Sequence, residues 1–425
     1  MQLSDLYKIY LQFPSIQTDT RKVQKGDFFF ALKGPNFNGN DFAKQALDKG
    51  AAYAVVDEAI EDSSGRLIFV EDVLTTLQEL ARYHRETFEV PFIAITGSNG
   101  KTTTKELVAA VLSSHFKTAT TEGNLNNHIG VPLTLLKIKP DIEMAVIEMG
   151  ANHQKEIESY CRYTEPTHGI IANCGKAHLE GFGGEAGVRK GKGELYDWLR
   201  AHDGMAFLFN DYDYLIEMSA GIQHRFEYST THGDLVGNIK SSEPFLTVAL
   251  REGITATTIR TALVGEYNLP NVLCAVAIGT YFKVPEEKIV HAIENYQPTN
   301  SRSQMLQIGS NQIILDAYNA NPTSMKAAIE NFAKMKVPKK ILLLGGMMEL
   351  GMESIHEHEA IVQLIKQFNW NEVVLVGGDF GKLQHPFTYL SNSEEAKNWF
   401  HQKHIENAYL LIKGSRSMQM EKIIQ

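Results

Sequence analysis

The chain has 425 residues, 43% of them hydrophobic, which suits two or three domains with their own cores. Lys and Arg number 41 against 50 Asp and Glu, and the resulting charge of −9 argues against a nucleic-acid binder, whose footprint is a basic surface. Cys161, Cys174 and Cys274 lack metal-like spacing, no secretory signal opens the chain and no apolar run spans a bilayer, so a cytoplasmic protein without a membrane partner is expected.

In chain order the pattern predicts an α/β protein of three segments, residues 1–86, 87–297 and 298–425. The first carries short strands at Asp27–Leu32 and Ala54–Val56, with an amphipathic stretch at Phe42–Leu47 between them. The second opens with the apolar run Phe92–Ile95, then Thr96-Gly97-Ser98-Asn99-Gly100-Lys101-Thr102-Thr103-Thr104, then a helical pattern with Leu107, Val108, Val111 and Leu112 on one face. Strand, glycine loop, Lys-Thr and helix form the layout of a nucleotide phosphate cradle. In it Lys101 reaches the β- and γ-phosphates and the Thr102 hydroxyl ligates Mg²⁺. The loop departs from the standard pattern, because Ile95 holds the place of its first glycine.

Further along, residues 121–132 read as an amide-rich loop containing Asn126 and Asn127. Glu148 ends the strand 144–147, where a hard oxygen ligand suits Mg²⁺ or a solvated loop acid is equally natural. His178 follows the strand 169–172, and Lys192 reads by spacing as an ordinary surface lysine. Asn271 stands near a helix start and could cap it. The third segment repeats strand then helix through residues 313–315, 341–344, 373–376 and 409–412. Apolar strands of this kind form buried parallel sheets whose ligands sit at the strands' carboxyl ends. His356 and His358 are not at the i, i+4 spacing of helical zinc ligands.

The loop Thr96–Thr103 resembles the ATP loop of the Mur ligases, a family of ATP-dependent amide-bond-forming enzymes. Further words resemble the family in order along the whole chain. They are Asp19-Thr20-Arg21, Asn124-Leu125-Asn126-Asn127, Glu148-Met149-Gly150-Ala151-Asn152-His153, Lys192-Gly193-Glu194, Tyr318-Asn319-Ala320-Asn321-Pro322 and Lys413-Gly414-Ser415-Arg416. Several are similar to the branch that adds D-alanyl-D-alanine. The resemblance implies a small α/β N-terminal UDP-binding domain, a central P-loop mononucleotide-binding α/β domain and a C-terminal Rossmann-like α/β domain. It implies joining of D-alanyl-D-alanine to UDP-N-acetylmuramoyl-tripeptide by a monomer using ATP and two Mg²⁺.

By the same resemblance, Gly97, Ser98, Asn99, Gly100, Lys101, Thr102 and Thr103 cradle ATP, with Asn271 at adenine, Asp316 at ribose, Asn319 near the base and Arg302 at the phosphates. Thr102, Glu148 and His178 are implied metal ligands. Lys101, Lys192, His178 and Arg302 are the implied catalytic set, with Lys192 open to carbamylation by CO₂. Thr20, Arg21, Asn126, Asn127, Lys413 and Arg416 are implied on the substrate side. Ser301, Leu315, Ala317 and Gly346 stand where the family has glycine, an acid, serine and an acid. The alternatives are a sibling ligase adding the third amino acid, a nucleotide-binding NTPase and an inactive ligase-like scaffold.

Overall fold

A computed structural model describes residues 1–61, 63–299 and 301–425. They form two compact units. The first comprises residues 1–94, 116–150 and 156–168, and the second residues 95–115, 151–155 and 169–425.

The first unit contains a parallel sheet in the spatial order Ile16–Gln17, Phe28–Phe30, Tyr53–Val56, Leu67–Phe69. The strand expected over 27–32 is therefore shorter, because Asp27 turns back to accept from Gln24 N at 2.8 Å. Ala43, Ala46 and Leu47 of the helix Ala43–Asp48 pack on Phe29, Ala54 and Val56, so apolar spacing at one face builds this core. The helix Val73–Arg85 is capped by Asp72, which accepts from Thr75 N. Strands Thr118–Thr120 and Met144–Glu148 pair in parallel, and the latter is buried throughout.

In the second unit the helix Lys101–Ser113 packs against Leu269–Tyr281. Its face of Leu107, Val108, Val111 and Leu112 is fully buried, as the spacing predicts. Strands Met205–Phe209, His224–Ser229 and Leu235–Ser241 run parallel, and Thr247–Glu252 and Thr258–Arg260 continue antiparallel. The C-terminal sheet has the order Gln304–Ile308, Asn311–Asp316, Tyr409–Lys413, Lys340–Gly345, Glu372–Val376, Thr388–Leu390. Only its first pair is antiparallel. Ile313, Leu343, Val374, Leu410 and Ile412 fill its core, which aligns the strand ends that carry Asp316 and Lys413.

Candidate active site

The phosphate loop is built from two close approaches. A Cβ on Gly97, at φ +148°, would lie 3.1 Å from Asn173 N, and one on Gly100, at φ +77°, would lie 2.7 Å from Asn271 Oδ1. Glycine is favoured at both by conformation, and at Gly100 also by space. Gly100 is the N-cap of Lys101–Ser113, so the helix's first N–H groups and its positive end follow the loop directly. Lys101 folds back, its Nζ donating to Gly97 O at 2.6 Å and Ser98 O at 3.3 Å. Ser98 N donates to Asn173 O at 2.9 Å and Ser98 Oγ to Gly175 O at 2.8 Å. Thr102 is buried and Thr103 is partly exposed.

Asn271 does not cap its helix. The helix starts at Leu269, so Asn271 sits inside the first turn, with Nδ2 donating to Asn268 Oδ1 at 3.0 Å. Its Oδ1 accepts from Thr104 Oγ1 at 3.1 Å, which ties it to the phosphate loop's helix.

In the first unit, Glu148 is 1% exposed and its Oε1 accepts from Asn126 Nδ2 at 2.7 Å. It is a buried, oriented carboxylate, not a solvated loop acid. Asn127 is engaged locally, its Oδ1 accepting from Gly130 N at 2.8 Å, where the helix Gly130–Leu135 begins inside the stretch expected to be loop. Arg21 is exposed and grips Asp19 at 2.8 Å, which lowers the Asp19 carboxyl to about 2. Thr20 O accepts from Lys49 Nζ at 2.9 Å.

In the second unit, His178 has φ +53° and precedes the short helix Leu179–Phe182. Its Nδ1 lies 2.5 Å from Glu349 Oε2, and this contact holds the Glu349 carboxyl below its usual range. Lys192 is not a surface lysine. It is 1% exposed on the helix Glu185–Ala201, with Nζ donating to Ala151 O at 2.9 Å and lying 4.9 Å from the Phe182 ring centroid. Gly191 makes room for that ring, since a Cβ there would meet Phe182 Cε1.

At the C-terminal strand ends, Lys413 is 2% exposed, with Nζ 2.6 Å from Asp316 Oδ2 and 3.2 Å from Asn319 O. Asp316 Oδ1 accepts from Ser303 N at 3.2 Å. The Arg302 guanidinium lies 3.4 Å from the Tyr318 ring centroid and that of Arg416 5.6 Å from it. Tyr318 N also donates to Ser301 O at 3.2 Å. Tyr318 is a site residue that no local signal marks, because the two arginines beside it come from distant parts of the chain.

The family replacements have local reasons. Leu315 is part of the C-terminal core. A Cβ on Gly346 would stand 2.6 Å from Gly378 Cα, so two glycine backbones meet where an acid is usual. Ser301 has φ +56°, the conformation the usual glycine adopts without strain. His358 Nε2 accepts from Met347 N at 3.0 Å, an internal role that agrees with rejecting a zinc pair. No cluster of three His, Cys, Asp or Glu side chains suited to a metal occurs among the described residues. No helix among them is long and apolar enough to cross a membrane.

A glycine loop between strand and helix N-terminus, followed by Lys-Thr, defines a nucleotide-binding α/β protein. The family models Mur ligase family, catalytic domain, Mur ligase middle domain, and Mur ligase, glutamate ligase domain match residues 12–85, 95–279 and 301–416. A UDP-N-acetylmuramoyl-tripeptide–D-alanyl-D-alanine ligase of Bacillus subtilis is 34% identical over 96% of this chain and 92% of its own. The enzyme of that name from Escherichia coli is 34% identical over 100% and 97%. A crystal structure of MurF from Acinetobacter baumannii superposes with a TM-score of 0.89 at 32% identity, covering 96% of this chain and 92% of its own. The chain belongs to the Mur ligase family.

Proposed function

We propose that this chain is an ATP-dependent ligase that joins D-alanyl-D-alanine to UDP-N-acetylmuramoyl-tripeptide, giving the pentapeptide, ADP and phosphate in peptidoglycan synthesis. The observation that carries this reading is the end-to-end similarity to proteins of that activity, together with the cradle at residues 97–103. We assign residues 1–86 to UDP-sugar-peptide binding, 87–297 to ATP and 298–425 to the Rossmann-like ligase domain. The protein acts as a cytoplasmic monomer.

A carboxylate is a poor electrophile at neutral pH. One oxygen of the tripeptide's terminal carboxylate attacks the γ-phosphorus of ATP, and ADP leaves. The dipeptide amine then attacks the acyl carbon of this acyl phosphate, loses a proton, and phosphate leaves. Gly97, Gly100, Thr102 and Thr103 hold the phosphates through backbone and hydroxyl groups, and Ser98 and Asn99, whose N–H groups donate to Asn173, shape the cradle around them. Lys101 exchanges its carbonyl partners for the transferring oxygens, and Arg302 adds charge from the C-terminal region. Thr102 and His178 of the second unit and Glu148 of the first would supply hydroxyl, imidazole and carboxylate ligands to Mg²⁺, with two ions proposed. When bound, Mg²⁺ neutralises charge on the phosphoryl oxygens.

Asn271 lies against the loop's helix and takes adenine, while Asp316 takes ribose and Asn319 approaches the base. The Lys413 ammonium fixes the Asp316 carboxylate. Lys192, buried with its amine on a carbonyl, is the site for carbamylation. ¹³C-bicarbonate labelling, read as a carbamate carbon resonance lost in Lys192→Ala, tests that assignment. Thr20, Arg21, Asn126, Asn127 and Arg416 serve the UDP-sugar-peptide and dipeptide.

The test is phosphate release from ATP with the tripeptide substrate, with and without D-alanyl-D-alanine, and the mass of the product. Release that needs both and yields the pentapeptide is expected. Release without the dipeptide overturns the ligase reading in favour of a general NTPase.

A further inference from the structure

We propose that Asn173 and Asn321 are positioning residues that hold the phosphate loop through Asn99, so that the loop reaches its working form when the C-terminal region is docked. This rests on reading residues 97–103 as the nucleotide cradle. Asn99 is held from two directions. Asn99 N donates to Asn173 Oδ1 at 3.0 Å, and Asn173 Nδ2 donates to Asn99 O at 3.0 Å. One side-chain amide thus satisfies both backbone groups of the loop residue. From the C-terminal region, Asn321 Nδ2 donates to Asn99 Oδ1 at 2.7 Å.

The amide of Asn321 cannot turn over. Its Oδ1 accepts from Ser324 N at 2.9 Å as the N-cap of Pro322–Lys334, in a capping box with Ser324. Its Nδ2 is therefore the donor toward Asn99, which fixes Asn99 Oδ1 as the acceptor. Asn99 Nδ2 is then left buried without a protein acceptor among the described residues.

The segment that carries Asn173 also meets the C-terminal region. Lys176 N donates to Thr323 Oγ1 at 2.9 Å, and Lys176 Nζ lies 2.6 Å from the buried Glu357 carboxylate. A Cβ on Gly175 would sit 2.8 Å from Thr323 Oγ1, so this approach needs glycine. Residues 173–176 therefore touch the loop at one end and the helix capped by Asn321 at the other. A change in docking reaches Asn99 along both routes.

The test is a double-variant cycle. Asn321→Ser keeps a good helix cap and cannot reach Asn99. Asn99→Ala removes the acceptor and keeps both backbone bonds to Asn173. Each is expected to lower kcat about tenfold, with KM for ATP changed less than about threefold and the unfolding midpoint held within about 2 °C. The double variant should fall no further than the weaker single variant. Retention of kcat within twofold in both singles overturns the proposal. So does a double variant showing the product of the two losses, or a loss carried wholly by KM for ATP. If Asn321→Ser fails to fold, Asn99→Ala, which leaves the cap untouched, decides by the same kcat and KM criteria. Lys101→Ala measured alongside reads the cradle itself. Turnover in that variant defeats the reading of the loop, whatever the asparagine variants do.

Discussion

Two lysines of the second unit stand beside strand ends, and they are held by different kinds of partner. Lys101 is folded onto the carbonyl oxygens of Gly97 and Ser98, whereas Lys413 is buried against the Asp316 carboxylate at 2.6 Å. A carbonyl dipole holds an ammonium more weakly than a full negative charge does. On the proposed reading, an arriving phosphate draws Lys101 away from these two carbonyls. The charge of Lys413 is matched by Asp316, the carboxylate proposed above to take ribose. On that proposal the same residue type at similar places serves transfer in one region and architecture in the other.

The largest effect should come from the lysine of the phosphate loop. Lys101→Ala should lower turnover by at least about 1,000-fold while the urea unfolding curve barely moves. Lys413→Met should do the reverse in kind, destabilising the fold by about 3 kcal/mol because Asp316 is left without its cation. Adding Asp316→Asn to it should recover part of that loss in the same urea experiment. If Lys413→Met unfolds at the wild-type midpoint, the contrast between the two lysines collapses. Tyr318 sharpens the comparison for a third cation. Tyr318→Phe keeps the ring under Arg302 and should stay within about twofold in kcat/KM for ATP, whereas Tyr318→Leu should lose about tenfold. Equal losses in the two variants would mean that the hydroxyl, not the stacked ring, matters. The smallest effect is expected at Ser301, where glycine relieves the positive φ and should stabilise the protein by about 0.5 kcal/mol in urea.

Local signals in the sequence carried much of this arrangement. The run Phe92–Ile95 and the glycines at 97 and 100 mark strand and cradle because burial and positive φ each select residue types. Pro322 after Asn321 marks the helix start for the same kind of reason. Contacts between distant residues were not legible. Nothing local to Asn173 says that it spans the backbone of Asn99, and nothing local to Asn99 points to Asn321, 222 residues on. Spacing alone makes Lys192 a surface residue because lysines are usually solvated, and its burial depends on contacts with Ala151 and Phe182 that no local pattern reveals. Asn271 could have been a cap by its sequence position, and it falls inside the first turn because helix starts are uncertain by a residue or two. The antiparallel arm 235–260 went unread because its strands pack on one side and lack continuous apolar runs.

The left-handed backbone of His178 sets stability against use. At φ +53° any residue with a Cβ is less comfortable than glycine. A library of position 178 sorted only for resistance to heat should therefore enrich glycine, to the extent that relief of the backbone exceeds the lost contact with Glu349. If His178 serves turnover as proposed, it would persist only where growth depends on that turnover, so the two sorting regimes would part at this one codon.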